Sequence, residues 1–185
     1  MVSGKFAEAV SKGRVYSVST VVAGLAIPIS TTTAPTVMLW NPLGSGVMVN
    51  LLRYNIAHAS GNTIAAVIGL QAIGGNQSGA VKGITAFADS PAVNTRLDGG
   101  VPSQIKASAA GTNTILAVVN WMCTMFVLEA DTIATTAGIG GLLSYDFDGL
   151  VQVPPGYAVF PAGSAAPATL FSQTLYWEEV PLADL

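Results

Sequence analysis

This sequence predicts an all-β fold: an antiparallel β-sandwich of the jelly-roll kind carrying a short N-terminal arm. Three observations point to it. From residue 15 onward, short β-branched or aromatic runs are separated by Gly, Pro, Asn, Asp and Ser clusters, as in chains built from many short strands. The clusters carry definite turn chemistry: Asn41-Pro42-Leu43-Gly44-Ser45-Gly46, Gly61-Asn62 and Pro154-Pro155-Gly156 each divide two apolar runs. The last run alternates, with Thr169, Phe171, Gln173, Leu175 and Trp177 on one side and Leu170, Ser172, Thr174, Tyr176 and Glu178 on the other.

Taken in order, residues 1–14 form the arm and residues 15–185 the sandwich domain. Ser3 is placed to cap a helix over 4–12, Glu8 and Lys12 are spaced i, i+4, and Gly13 supplies the C-terminal stop. Phe6, Ala9 and Val10 share a face of that helix. So short a helix is marginal alone and must dock, on its own domain or on a neighbouring subunit. Strands are expected over 15–22, 26–29, 36–40, 47–59, 63–73, 81–88, 103–107, 114–128, 142–153, 157–160 and 169–180. Ala65, Ala66 and Val67 fit helix or strand, and the strand is preferred. Pro28, Pro154, Pro155 and Pro161 lack a ladder donor and belong at strand ends or sheet edges.

Composition narrows the partners. Charged residues make up 9% of the 185 and hydrophobic residues 51%, against roughly 25% charged in an ordinary soluble domain, so much of the surface must be neutral. The formal net charge of −3 provides no basic field for a nucleic acid. The longest apolar stretch, 115–128, is interrupted by Asn120 and Thr124 and falls short of the roughly 18 residues of a spanning helix. Lys5, Lys12 and Arg14 before the apolar stretch 21–29 faintly echo a signal peptide, but Gly24 and Pro28 interrupt it and the chain still begins at Met1. A soluble, unprocessed chain is expected, with neither membrane nor nucleic acid as its partner.

Few residues can carry chemistry. Cys123 is the only cysteine, expected as a small buried hydrophobe, and His58 the only histidine, expected as a structural strand residue. Asp146 and Asp148, at strand spacing i, i+2, are the weak metal candidates, although Leu150 stands where a calcium loop wants a further oxygen ligand. Adjacent Glu178 and Glu179 point to opposite faces, poor geometry for an acid/base pair, and are read as solubilising edge or strand-end charges. The loop 74–83 contains Lys82 followed by Gly83, without the P-loop order. Trp40, Trp121 and Trp177 suit core or interface, or sugar stacking if exposed. The chain is therefore expected to be no enzyme, with no catalytic residues and no cofactor. Phe6, Val10 and Arg14 of the arm, with Leu170 and Tyr176 of the last strand, are the candidate interface residues.

The motifs Gly13-Arg14-Val15-Tyr16-Ser17, Thr36-Val37-Met38-Leu39-Trp40-Asn41-Pro42, Val153-Pro154-Pro155-Gly156-Tyr157 and Leu175-Tyr176-Trp177-Glu178-Glu179-Val180-Pro181 resemble those of small β-sandwich structural proteins of tailed bacteriophages, of the head decoration type. The resemblance implies a β-sandwich virion component, and the leading expectation within that class, given the neutral surface, is a capsid decoration protein seated symmetrically, as a homotrimer, on a shell of major capsid protein. It also implies a location on the virion surface after synthesis in the host cytoplasm. In that picture the arm reaches a neighbour or the shell, and its deletion abolishes particle binding. A receptor- or glycan-binding module of a fibre or tail and a small single-jelly-roll capsid protein are the alternatives.

Overall fold

The computed structural model describes residues 6–185 apart from 62, 75, 78, 79, 82, 83, 99, 112, 116–119, 131–140 and 166–168, with the backbone alone at 76, 77, 80 and 81. A five-residue helix, α1 (Ala7–Ser11), precedes the strands. The first half of the chain supplies β1 (Val15–Ser19), β2 (Leu25–Ala26), β3 (Met38–Trp40), β4 (Val47–Ser60) and β5 (Ala66–Gly74). Next come the short β6 (Asn76–Gln77), β7 (Ala80–Val81), β8 (Ile84–Ala86), β9 (Val93–Asn94), β10 (Lys106–Ser108) and β11 (Thr114–Ile115). The chain closes with β12 (Asn120–Leu128), β13 (Leu142–Asp146), β14 (Gln152–Val153), β15 (Tyr157–Gly163), β16 (Leu170–Pro181) and a 3-10 turn at Leu182–Asp184.

Twelve of these strands form two antiparallel sheets packed face to face, an all-β sandwich, and β6–β7 and β8–β11 form two separate ribbons. One sheet runs β13-β4-β16-β1-β9, with β14 also on β4 and β2 on β16; the other runs β10-β3-β15-β5-β12. Pairing is nested along the chain: β1 with β16, β3 with β15, β4 with β13 and β5 with β12. From β1 to β16 the long strands change sheet at each step except between β5 and β12, which pair with each other, so the interior is filled from both ends of the chain. Tyr16, Leu39, Leu51, Tyr54, Ile68, Phe126, Val159, Leu175 and Trp177 meet there.

The predicted alternation of the last strand is what the structure shows: Phe171, Gln173, Leu175 and Trp177 are buried, and their neighbours are half-buried. β15 behaves differently, with every residue after Tyr157 buried, because its sheet is covered on both faces. Ile115, Ile84 and Phe87, from the β8–β11 ribbon and its flank, lie over Met38, Ile73, Phe160 and Trp40 and form a second apolar cluster. A strand wrapped on both sides has no polar face to display.

Several expected elements change form. The helix starts at Ala7 with Phe6 at the N-cap position; Ser3 lies outside the described residues. The expected strand 142–153 is two segments on the same partner β4, because Phe147 turns into the core and Asp148 and Gly149 adopt φ of 55° and 77°. The expected strand 81–88 splits between β7 and β8, with 82 and 83 outside the described residues. The expected strand 114–128 contributes to two sheets, β11 pairing with β8 and β12 with β5. Pro161 lies within β15 rather than at its end. There β15 pairs with β5 through Leu70, while β3 reaches only Ala158 and Val159, so the missing N–H falls on a locally unpaired side.

Candidate functional site

The arm, expected to dock on its own domain or a neighbour, packs on its own domain. Phe6 and Val10 stand over the outer face of the first sheet, where they enclose a cavity of about 280 Å³ with Val15, Leu52, Arg53 and Tyr176. Gly13, at φ 68°, turns the chain from helix into β1, a conformation that L side chains rarely adopt. The turn is tied down by Asn94 Nδ2, which donates to the Gly13 carbonyl at 2.7 Å, and by an Arg96 guanidinium N–H donating to the Ser11 carbonyl at 3.0 Å. Arg14 pairs with Asp184 at 2.6 Å, fastening the two ends of the chain together. Three of the five candidate interface residues, Phe6, Val10 and Tyr176, thus line one intramolecular seam. Leu170 lies apart, half-buried against Ala26 and Ser60. Deleting residues 1–13 uncovers Val15 and Leu52 and is expected to lower Tm by about 2–6 °C while the sandwich still folds. Differential scanning fluorimetry against the full chain checks this; an unchanged Tm would mean that the seam contributes nothing.

The acidic candidates sit in different local structure, one in a strand and one in a turn. Asp146 ends β13 and binds Arg53, receiving Nε at 2.5 Å and a second guanidinium nitrogen at 3.3 Å, a fork that engages both carboxylate oxygens. This pairing raises the Arg53 pKa. Asp148 sits beyond Phe147 in the turn, so the strand spacing expected to bring the two carboxylates to one side is broken. Among the described residues no group of three or more His, Cys, Asp or Glu is placed to hold a metal ion.

Glu179 overturns its expected role as a solubilising edge charge. It is only 4% exposed, on the same side of β16 as Trp177. Its Oε1 accepts from the Ser103 hydroxyl at 2.5 Å and from Trp177 Nε1 at 3.1 Å, and its Oε2 accepts from the Gln104 backbone N–H at 2.9 Å. Tyr16 stacks on Trp177 with centroids 6.0 Å apart and donates to the Val101 carbonyl at 2.8 Å. Burial first, and then the Glu179 charge, push the Tyr16 pKa above its ordinary value, so the phenol keeps its proton. These contacts pin the 101–104 segment to the sandwich. The signal was in the sequence: Glu179 continues the parity of Phe171, Gln173, Leu175 and Trp177. Glu178, of opposite parity, is half-buried and accepts from Asn50 Nδ2 at 3.4 Å.

Two further polar residues escaped the sequence. Asn41, fully buried, donates to the carbonyls of Val47 at 3.0 Å and Val153 at 2.8 Å and accepts from Ser45 Oγ at 2.5 Å. It joins the two turn motifs that sequence marked separately. Gln173 accepts from Tyr54 Oη at 2.7 Å and donates to the Leu25 carbonyl at 3.0 Å. Complete burial drives the Tyr54 pKa well above its ordinary value.

The remaining candidates have structural surroundings. His58 Nε2 donates to the Gly61 carbonyl at 2.7 Å, and its ring meets Phe171 edge-on. Cys123 is half-buried in β12, and burial raises its thiol pKa, which keeps it a poor nucleophile. Trp177 is core, and Trp40 is half-buried beside Phe87 with Lys106 Nζ 5.6 Å from its ring centroid. Trp121 instead lies on the outside, where its ring covers Gly69 so closely that a Cβ there would overlap it. Most of the 74–83 loop, including Lys82, lies outside the described residues. An open cleft of about 440 Å³ beside Asp89, Ser90, Pro102 and Ser103 lies against the segment that Glu179 fastens. Comparison of the chain with protein-family models, curated proteins and solved structures finds no match.

Proposed function

We propose that this chain is a non-enzymatic virion structural protein, a decoration protein that assembles with copies of itself on the shell of a tailed phage. The observation that carries the proposal is a surface poor in charge and rich in uncovered apolar side chains. Val22 is 92% exposed, and Leu97, Leu150, Val127 and Leu142 are also open to water on a chain with 9% charged residues. Such a surface is costly for a monomer and is consumed by close packing with protein neighbours. The polar residues buried inside, Asn41, Gln173 and Glu179, are engaged in holding turns and strands together.

The nested pairing β1–β16, β3–β15, β4–β13 and β5–β12, split between two packed sheets, supports reading the sandwich as a jelly roll. It supports the resemblance stated above, and it favours a second reading, a small single-jelly-roll capsid protein. Stoichiometry separates the two readings, since a capsid protein builds a closed shell unaided, whereas a decoration protein adds to a shell that forms without it. Particles purified from cells expressing the tagged chain with its cognate shell protein are expected to carry it on their surface, detectable by antibody labelling. A chain absent from particles, and monomeric in solution, would refute the proposal.

A further inference from the structure

The cleft beside Asp89 and Ser103, about 440 Å³, has both of its walls tied down before any guest arrives. On one side the Ser90 N–H donates to the Ala107 carbonyl at 2.7 Å and Ser90 Oγ accepts from the Ala109 N–H at 3.0 Å, fixing the 89–92 segment to β10 and its flank. On the other side the Glu179 carboxylate holds the Ser103 hydroxyl and the Gln104 N–H. Walls fixed in advance spare a guest the cost of ordering them, and the volume falls within the roughly 300–1,000 Å³ of small-ligand sites. Pro91 and Pro102 line the cleft with apolar surface, and so does the buried Ile105.

The charge around this cleft is one-sided. Asp89 is exposed on its lining, and among the described residues its ion-pair partner is Lys106, at 3.9 Å and also 5.6 Å from the Trp40 ring centroid. Behind Ser103 lies the buried Glu179, whose three donors are all neutral. Among the described residues no Lys, Arg or His forms an ion pair with it. With two carboxylates against one distant ammonium, the cleft attracts cations, and its partly enclosed shape limits the screening that weakens an open surface pair.

We infer that this cleft is the socket for an arginine side chain of the protein on which the chain docks. A guanidinium can engage both oxygens of Asp89 while its aliphatic stem lies along Pro91 and Pro102, whereas a lysine brings a point charge without the fork. That the arginine belongs to the shell rests on the assembly proposed above. A chain of net charge −3 is complementary to a basic partner, and the socket gives that attraction a place and an orientation.

The test follows the backbone amide resonances of the isotope-labelled full chain during titration with N-acetyl-arginine amide, against its neutral analogue N-acetyl-citrulline amide. The arginine compound is expected to shift the amides of Asp89, Ser90, Ser103 and Gln104 and to saturate at concentrations on the order of millimolar, while the citrulline compound leaves them in place. Asp89→Asn, at an exposed position, should keep the fold, weaken this binding by roughly ten-fold and label particles several-fold less densely in the antibody assay. Shifts that are absent, scattered over the surface or equal with citrulline would overturn the socket while leaving the particle role standing. Particles that carry Asp89→Asn as densely as the wild type would overturn the assignment of the arginine to the shell. A chain that takes up the arginine compound but is absent from particles would overturn that assignment together with the particle role, and the socket alone would stand.

Discussion

Glu179→Ala is expected to destabilise the protein by about 3–4 kcal/mol, near the top of the range for single substitutions. The alanine removes the acceptor for the Ser103 hydroxyl, the Gln104 N–H and Trp177 Nε1 together, the last of them fully buried. The indole N–H of Trp177 is left without a partner in the core, and Ser103 and Gln104 lose the carboxylate that holds their segment down. The 101–104 segment should loosen from β16, and Trp177 fluorescence should shift as its indole N–H is freed. Glu179→Gln separates the causes. With its oxygen in the Oε1 position it still serves Ser103 and Trp177, but its amide then faces the Gln104 N–H donor to donor, so an intermediate loss is expected. Thermal unfolding of the three proteins decides: for 185 residues the alanine should lower Tm by about 6–15 °C. A Tm unchanged within a degree would show that Glu179 is not the clamp the contacts describe.

Asn41 carries the second large effect. Asn41→Ala is expected to cost about 2–3 kcal/mol, because the buried carbonyls of Val47 and Val153 lose their side-chain donor and Ser45 loses its acceptor. Asn41→Asp should be worse although it is nearly isosteric, since a carboxylate oxygen would then face two carbonyl oxygens in a dry site. Urea unfolding gives the order directly: wild type above Ala, Ala above Asp in midpoint, with m unchanged. An aspartate variant as stable as the wild type would mean that the site admits water or that the carbonyls have other donors. The effect should not stay local, because Asn41 couples the turn after β3 to the turn before β15. The Gly156 N–H donates to the Asn41 carbonyl at 2.8 Å, and the Asn41 N–H donates to the Tyr157 carbonyl at 2.9 Å.

Much of the fold was legible because its signals are local. Side chains alternate with period two along β16 whatever lies opposite, and the Asn-Pro, Gly-Ser-Gly and Pro-Pro-Gly clusters restrict the backbone by their own sterics. What failed depended on neighbours far along the chain. The parity of Glu179 put it on the buried side of β16, but its partners Ser103 and Gln104, some 75 residues earlier, could not be read from it. Residues 142–153 read as one strand until Phe147 finds a place in the core and Asp148 takes up a left-handed turn. Asn41 reads as a turn residue until Val153 appears on its far side. The arm offered two docking places on equal terms, and the outer face of the first sheet, with Leu52 and Tyr176 side by side, is formed only when β4 and β16 pair.

The sequence by itself determined the fold class, the arm, the neutral surface and the scarcity of catalytic groups, since these follow from residue types and short-range spacing. Tertiary structure alone decided which strands are neighbours and which partners the buried Glu179 carboxylate meets. Those outcomes depend on pairing β1 with β16 and β5 with β12 across the length of the chain, and no local preference of a residue encodes the partner it will meet there.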